Sequence, residues 1–526
     1  MRSLPALLIV VIPIAAQVPY QRLRNAGAEP GNWLTYSGNY GSHRYSPLAQ
    51  IAAANAHRLK PAWVYQVQAP GKVQTTPLVI DGVMYLTEPA SDVTALDTRS
   101  GRTLWKYKRP MPKGVRGCCG QVNRGVAALD DLLFVGTYDA HLVALDSRSG
   151  QVRWDVAVAD PNLGHSITAA PLAVKDKIIV GIAGGEYGVR GFVDAYEAKT
   201  GRRAWRFWTI PAPGEPGHET WAGESWKTGA ATTWVTGSFD PDLNLIYWGT
   251  GNPGPDWNGE GRRGDNLYSD SLLALDADTG KLKWHFQFTP HDVHDWDSTE
   301  VPVLADGVVR GEKRKLVLFG NRNAFYYVLD RQSGQFLVGK QFARQTWAQG
   351  LDDSGRPIRL PNTAPTVEGT RVYPSVPGAT NWFSPSYSPR ANLFFVAARD
   401  EGGIYFRGES EYKPGAQFNA GGFRNLPGEE PSGAVRALHP TTGELKWEFK
   451  LHSPPWAGLL STAGGLVFGG TNEGDFFALD AQTGKLLWRF QTGGAIVSNP
   501  IAYLSEGRQQ VAIAAGSAIF SFALEQ

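Results

Sequence analysis

One phrase constrains the fold of this 526-residue chain more than any other: an apolar pair, Asp, three residues, Gly, three residues, Trp. It reads ALDTRSGRTLW to Trp105, ALDSRSGQVRW to Trp154, AYEAKTGRRAW to Trp205, ALDADTGKLKW to Trp284, ALHPTTGELKW to Trp447 and ALDAQTGKLLW to Trp488. Two degenerate copies, NAHRLKPAW at Trp63 and VLDRQSGQFLV with Val338 in the Trp place, bring the anchors to eight. In each copy an extended apolar run meets a tight Asp-x-x-x-Gly turn and then a second extended run. Upstream of most copies lies another strand pair, such as PLVIDGVMYLT with an Asp81–Gly82 hairpin turn. Four strands per unit, returning every 41 to 54 residues where no insertion intervenes, predict an all-β fold, an eight-bladed β-propeller of four-stranded blades. Each repeat Trp is expected to pack as a wedge between neighbouring blades.

Composition fits a chain of many turns and large rigid anchors, with 61 Gly and 18 Trp. A formal net charge of +2, with both signs mixed throughout, excludes the basic block that nucleic acid would require. The N-terminus, MRSLPALLIVVIPIAAQVPY, has one Arg, a short apolar run and small residues at Ala15 and Ala16. It is expected to be a secretory signal peptide over residues 1–16, leaving residues 17–526 as the propeller domain in the periplasm. The apolar run falls short of the ~20 residues that a spanning helix needs, so no stable membrane insertion is expected.

Two intervals between anchors are long, Trp205 to Trp284 and Val338 to Trp447, and both are rich in Gly and Pro. Insertions of this kind sit at one rim of a propeller and can roof a central site. Three clusters fall outside the repeat. FTPHDVHDWDSTE packs His291, Asp292, His294, Asp295, Asp297 and Glu300 together, GIAGGEYGVRG sets Glu186 among glycines, and YWGTGNPGPDWN carries Asn252 in a turn. The first could be a solvated loop with capping carboxylates. Zinc fits poorly, since the two His stand three apart in a Pro-led loop with no second His pair. Carboxylates with an amide oxygen suit a hard, oxygen-loving cation better.

CCGQVNRG, GGEYGVRG, TGNPGP, TPHDVHDWD, NRNAFYYVLD and PPWAGLLSTAGGLVFGGT follow one another here in the order seen in pyrroloquinoline quinone (PQQ)-dependent alcohol dehydrogenases. The chain resembles that family, which includes methanol and ethanol dehydrogenases, over nearly its whole mature length. The resemblance implies an eight-bladed propeller that oxidises primary alcohols to aldehydes with PQQ and one metal ion. It implies Glu186, Asn252, Asp295 and Asp297 as metal ligands, with Asp295 also the catalytic base. Among cofactor contacts it implies Arg124 and Arg322 at the quinone oxygens, Thr168, Gly184, Gly185, Thr232, Asn381 and Trp456 around the ring, and Trp234 as its platform. Cys118 and Cys119, the only two cysteines, resemble the vicinal disulfide that covers the other face of the ring.

Gln74 and Ala183 stand where the calcium methanol dehydrogenase pattern has Glu and Ser, which removes two polar contacts near the quinone. Asp297, two residues after Asp295, resembles the extra aspartate of the lanthanide-dependent branch. Three negative charges from Glu186, Asp295 and Asp297 also match a trivalent ion better than Ca²⁺, the alternative metal. Because the chain has no Cys-x-x-Cys-His, no haem is expected within it, and a soluble cytochrome c is the electron acceptor that the resemblance implies. A homodimer is compatible with it. Competing readings are a quinoprotein acting on a sugar or polyol, and a non-catalytic propeller scaffold of outer-membrane assembly, which shares the ALDxxTGxxxW turns.

Overall fold

Each Asp-x-x-x-Gly phrase folds into a turn between two antiparallel strands. In the second copy the Asp146 carboxylate accepts from the Arg148 and Ser149 backbone and from the Ser149 hydroxyl, at 2.9–3.0 Å. Gly150 then adopts φ +70° and returns its N–H to the Asp146 carbonyl. That left-handed step disfavours any side chain. The computed structural model describes residues 17–68 and 71–525, and the signal peptide expected over residues 1–16 lies outside them.

The strands come in antiparallel runs of four. Leu78–Ile80, Val83–Glu88, Asp92–Asp97 and Thr103–Tyr107 make one such sheet, neighbours in chain order, with Asp81 and Gly82 both at positive φ in its first turn. Among the described residues seven sheets have four strands, and an eighth gains a fifth, Tyr45–Ser46, parallel to Leu460–Thr462. One of the seven joins the two ends of the chain, with Leu59–Gln66 antiparallel to Ala518–Leu524. The fold is thus all-β, a propeller of four-stranded antiparallel sheets. Burial falls outward across a sheet: Leu172–Val174 is buried throughout, whereas in the fourth strand of that sheet, Arg203–Trp208, only Trp205 is.

Trp63 faces Ser521 and Trp488 meets no turn glycine, but from Trp105 to Trp447 each repeat Trp is a wedge held by three features. Across the strand pair it faces an Ala: Ala95 opposite Trp105, Ala144 opposite Trp154, Ala195 opposite Trp205, Ala274 opposite Trp284, Ala437 opposite Trp447 and Ala478 opposite Trp488. Its indole N–H crosses to a carbonyl of the next repeat, as from Trp154 to Ala198 (2.9 Å) and from Trp447 to Ala481 (3.1 Å). Its ring lies where the Cβ of the next turn's glycine would stand, 2.5 Å from Trp105 at Gly150 and 2.5 Å from Trp447 at Gly484. The last such bond, Trp488 to the Leu59 carbonyl at 3.2 Å, links the end of the array to its beginning. Val338 departs from this pattern together with its partner: it faces Val328, and the Tyr326 hydroxyl makes the crossing bond, to the Pro440 carbonyl at 2.7 Å. Two medium side chains replace one large and one small, which conserves volume.

Two further layers position the site. Residues 31–46 run across the first strands of six sheets, with backbone bonds linking Gly31 to Leu504, Trp33 to Val79, Tyr40 to Phe239, Gly41 to Leu304, His43 to Tyr387 and Arg44 to Ser461. The two long insertions supply the short turns His218–Thr220 and Ser225–Thr228, a hairpin of Ala348–Leu351 with Pro357–Arg359, and a sheet of Thr370–Val372, Gly403–Arg407 and Gly421–Asn425. They are bonded to each other by Arg356 on Asp265 at 2.7 Å, Asn258 on the Gly408 carbonyl at 3.0 Å and an Arg407–Glu260 ion pair. Among the described residues no helix is long and apolar enough to cross a membrane.

Candidate active site

In an antiparallel run of four, the start of strand one and the link from strand two to strand three lie at the same edge. The expected site residues occupy those two places. Arg124, Thr168, Thr232, Trp234, Asp295, Asp297, Asn381 and Trp456 lead into first strands, while Gly184, Gly185, Glu186, Asn252 and Arg322 follow second strands. Cys118 and Cys119 lie on the loop that carries Arg124. All therefore belong to one edge of the sheets, opposite the Asp-x-x-x-Gly turns that follow third strands.

Asp295 and Asp297 stand at Arg322, and Asp297 and Asp256 stand at Asn252. Arg322 Nη1 donates to Asp297 Oδ2 at 2.5 Å, and its Nη2 stands 3.9 Å from Asp295 Oδ1. The Asn252 backbone N–H donates to Asp297 Oδ1 at 2.8 Å, and its side-chain Nδ2 donates to Asp256 Oδ1 at 2.9 Å. A Cβ on Gly251 would lie 2.3 Å from Asp297 Oδ1, so only glycine admits that approach. Asp295 holds φ +60°, an uncommon conformation for a residue with a side chain. Burial raises the Glu186 carboxyl to about 7, and the Asp297 charge adds to the rise. Burial first holds Asp295 and Asp256 well above the usual carboxylate range and Asp297 above it; Arg322 pulls Asp295 and Asp297 down, while neighbouring carboxylates add to the rise, Glu186 at Asp256, Asp297 at Asp295 and Asp292 at Asp297. Buried carboxylates whose pKa values are pushed up by burial and by like charges make a place where a bound cation would offset negative charge. This donor set, carboxylate oxygens with an Asn amide, fits a hard metal ion.

Beside them lies a cationic and aromatic lining. Arg124 is buried with no carboxylate beside it, which brings its pKa down to about 10. Its guanidinium sits 5.1 Å from the Trp234 ring and 4.5 Å from that of Trp382, and its Nη1 donates to Thr168 Oγ1 at 2.9 Å. Arg399 lies 4.4 Å over the Trp456 ring and bonds Glu401 at 2.7 Å. The Nε atoms of Arg124, Arg322 and Arg399, and the Gln74 Oε1, are buried without a partner. Orphaned donors on three buried arginines, two of them over aromatic faces, fit a planar polyanion such as PQQ. Asn381 donates to the Pro377 carbonyl (2.7 Å), Thr232 Oγ1 lies 3.4 Å from where a Gly185 Cβ would be, and a Gly184 Cβ would strike the Gly164 carbonyl at 2.5 Å. Ala183 pairs with Ser166 through its backbone alone.

Cys118 and Cys119 are joined as a vicinal disulfide, and their sulfurs and a Glu186 carboxylate oxygen lie within 4.8 Å of one another. FTPHDVHDWDSTE splits by role. Asp292 caps the loop by accepting from the His294 and Trp296 backbone (3.0 and 2.8 Å), and the His rings turn to the Gly264 and Thr363 carbonyls, while Asp295 and Asp297 form the side-chain ion pairs with Arg322 and the buried Glu300 lies close enough to feel its charge. Sequence reasoning missed Asp256, although it stands in the same turn as Asn252, and it missed Arg399, Trp382 and Asn419, which no local motif marks.

Residues 33–350 match the family model described as the β-propeller domain of glucose, ethanol and alcohol dehydrogenases using PQQ. Residues 431–520, which hold the Trp447 and Trp488 repeats, match a model of the outer membrane protein assembly factor BamB. The chain is 41% identical to the quinoprotein alcohol dehydrogenase PedH of Pseudomonas putida, over 90% of this chain and 84% of that one. It is 37% identical to the lanthanide-dependent methanol dehydrogenase of Methylacidiphilum fumariolicum, over 93% and 85%. A solved europium-containing methanol dehydrogenase superposes with a TM-score of 0.91 at 33% identity, over 96% of this chain and all of that one. The expectation of a centre without haem is corrected by other relatives. Quinohemoprotein alcohol dehydrogenases of Comamonas testosteroni and Pseudomonas putida, 38% and 39% identical, carry haem by name, and the chain covers 94% and 96% of itself but 74% and 76% of them. The lack of a Cys-x-x-Cys-His run in these 526 residues is therefore no guide to haem in such proteins.

Proposed function

The chain belongs to the PQQ-dependent alcohol dehydrogenases, a family of quinoprotein oxidoreductases, and from that membership we propose that it oxidises primary alcohols to aldehydes in the periplasm with PQQ and a lanthanide ion. On this reading residues 1–16 are removed on export, residues 17–526 form one eight-bladed ring, and a soluble cytochrome c receives the electrons. The observation that carries the proposal is Asp297 bridging the Asn252 backbone and Arg322, with Asp295 3.9 Å from the same guanidinium, beside buried arginines with free donors.

Glu186, Asn252, Asp295 and Asp297 would hold the ion, and Arg124, Arg322, Thr168, Thr232, Asn381, Trp234 and Trp456 the quinone. Bound there, PQQ supplies a hydride acceptor and the ion a Lewis acid. Asp295 takes the hydroxyl proton of the alcohol as the carbon-bound hydrogen leaves with its electron pair, which balances the conversion of RCH₂OH to RCHO. For that it must be ionised; burial and the neighbouring carboxylates hold its pKa up, Arg322 acts against them, and a bound cation would act in the same direction as Arg322. Arg322 and Arg124 donate charge-assisted hydrogen bonds where negative charge grows. The 408–420 segment is anchored beside Glu186 by the Phe418 N–H on the Glu186 carbonyl at 2.7 Å.

The test is reconstitution of the purified protein with PQQ and either La³⁺ or Ca²⁺, following dye reduction with a panel of primary alcohols. Turnover with La³⁺ is expected. Silence with every metal would overturn the enzymatic reading, and equal rates with Ca²⁺ alone would remove the lanthanide from it.

A further inference from the structure

A side-chain amide can turn either of two faces to a cation: an oxygen that binds it or an NH₂ that repels it. Asn252 is held to one of them by Asp256, a buried residue four positions on. The Asp256 Oδ1 lies 2.9 Å from Asn252 Nδ2, and the same nitrogen faces the Pro253 carbonyl at 3.5 Å, an oxygen that can only accept. The Asn252 NH₂ is thus kept on Asp256, and its Oδ1 points away from that carboxylate. The second Asp256 oxygen reaches another element. With its nitrogen turned to the acceptors it faces, Asn419 donates to Asp256 Oδ2 at 3.2 Å and to the Glu186 carbonyl at 3.3 Å. The Phe418 N–H bonds that same carbonyl at 2.7 Å, and the Trp257 N–H bonds the Asn419 carbonyl at 3.2 Å. One buried carboxylate therefore joins the Asn252 side chain, the Glu186 backbone and the 408–420 segment.

We propose that Asp256 is the positioning residue of the cation centre, fixing the Asn252 amide with its oxygen outward and locking residues 418–419 onto Glu186. The inference rests on the reading of Glu186, Asn252, Asp295 and Asp297 as ligands. Partners that orient metal ligands typically contribute about 10–100-fold to metal affinity.

The experiment titrates metal-free, PQQ-loaded protein with La³⁺ and separately with Ca²⁺ by calorimetry, alongside the melting temperature without metal. Asp256→Ala is expected to weaken La³⁺ binding by about 10–100-fold while the metal-free protein still melts cooperatively. Asp256→Asn, whose amide oxygen can still accept from Asn252, is expected to recover most of that loss. Wild-type affinity in Asp256→Ala would overturn the proposal. So would an Asn variant as weak as the Ala variant, since charge rather than orientation would then be the contribution. Should the Ala variant fail to fold, Asp256→Ser, which is too short to reach Asn252, takes its place under the same criteria. A wild-type protein that binds neither ion would sink the reading of the metal centre itself, whereas tight wild-type binding with unaffected variants sinks this inference alone.

Discussion

Asp297 has two duties that a substitution can separate. It accepts from the Asn252 backbone and from Arg322, so it does not turn away to cap the following segment. Replacing it with Ala would remove a candidate ligand and also leave a buried guanidinium without its nearest counter-charge. We expect Asp297→Ala to lower La³⁺-dependent turnover at least tenfold, and to cost about 3–5 kcal/mol of stability because a buried pair is broken. Asp297→Asn should retain more stability yet lose the same turnover. Steady-state rates against La³⁺ concentration, with denaturant unfolding, test both, and an unchanged rate would refute the ligand role. The cysteine pair gives the opposite expectation. A bond between neighbours closes almost no loop and adds little chain entropy, but its sulfurs lie by Glu186. Reduction should therefore impair turnover while the melting temperature stays near wild type. His291 adds a pH dependence: burial, then Arg262 and Arg359, lower its pKa to about 4 from the ordinary 6.5. The unfolded chain takes up the proton first, so stability is full above about pH 6.5 and declines as pH falls toward 4. His291→Gln should flatten the melting temperature across that window, and an unaltered slope would count against it.

The elements show why the repeat was so readable and where that legibility ended. Asp, Gly and Trp at fixed spacing each answer one local demand: a turn acceptor, a left-handed step and an inter-sheet wedge. All three are visible without tertiary knowledge. The Ala before each Asp was visible too, but its meaning as the small residue across from Trp requires the strand register. This pairing makes a sharp prediction at the one exceptional sheet. Val338→Trp alone meets Val328 across the strand and should cost about 1–3 kcal/mol by overpacking. Adding Val328→Ala should return part of that cost, a coupling that a double-mutant cycle reads directly. Purely additive effects would show that the Ala–Trp complementarity is incidental. What the sequence did not disclose is structure without periodicity. The 31–46 floor, the Gly403–Arg407 sheet and the 408–420 segment hold their places through backbone bonds to distant residues, and backbone bonds leave no signature in residue type. Asn419 and Arg399 were hidden for the same reason, whereas Asp256 stood four residues from the candidate ligand Asn252.

At the scale of the molecule, the candidate site draws its residues from many sheets. Arg124, Thr168, Trp234, Asp297, Asn381 and Trp456 lead into the first strands of six different sheets, so their spacing is set by how every sheet packs on the next. Closure depends on Leu59–Gln66 pairing with Ala518–Leu524, on Trp488 reaching the Leu59 carbonyl, and on the 31–46 segment bonding the first strands across the array. Removing residues 518–526 would leave Leu59–Gln66 unpaired and expose two strand edges, each a template for association with another chain. The truncated protein is expected to lose its single cooperative melting transition, to self-associate in size-exclusion chromatography and to bind PQQ weakly, although no residue of the candidate site is deleted. A peptide spanning 515–526, added during refolding, should restore a monomer that binds PQQ. A truncated chain that stayed monomeric with wild-type melting and PQQ affinity would show that the sheets hold their places without the closing strand, and that the arrangement of the site is local rather than a property of the whole ring.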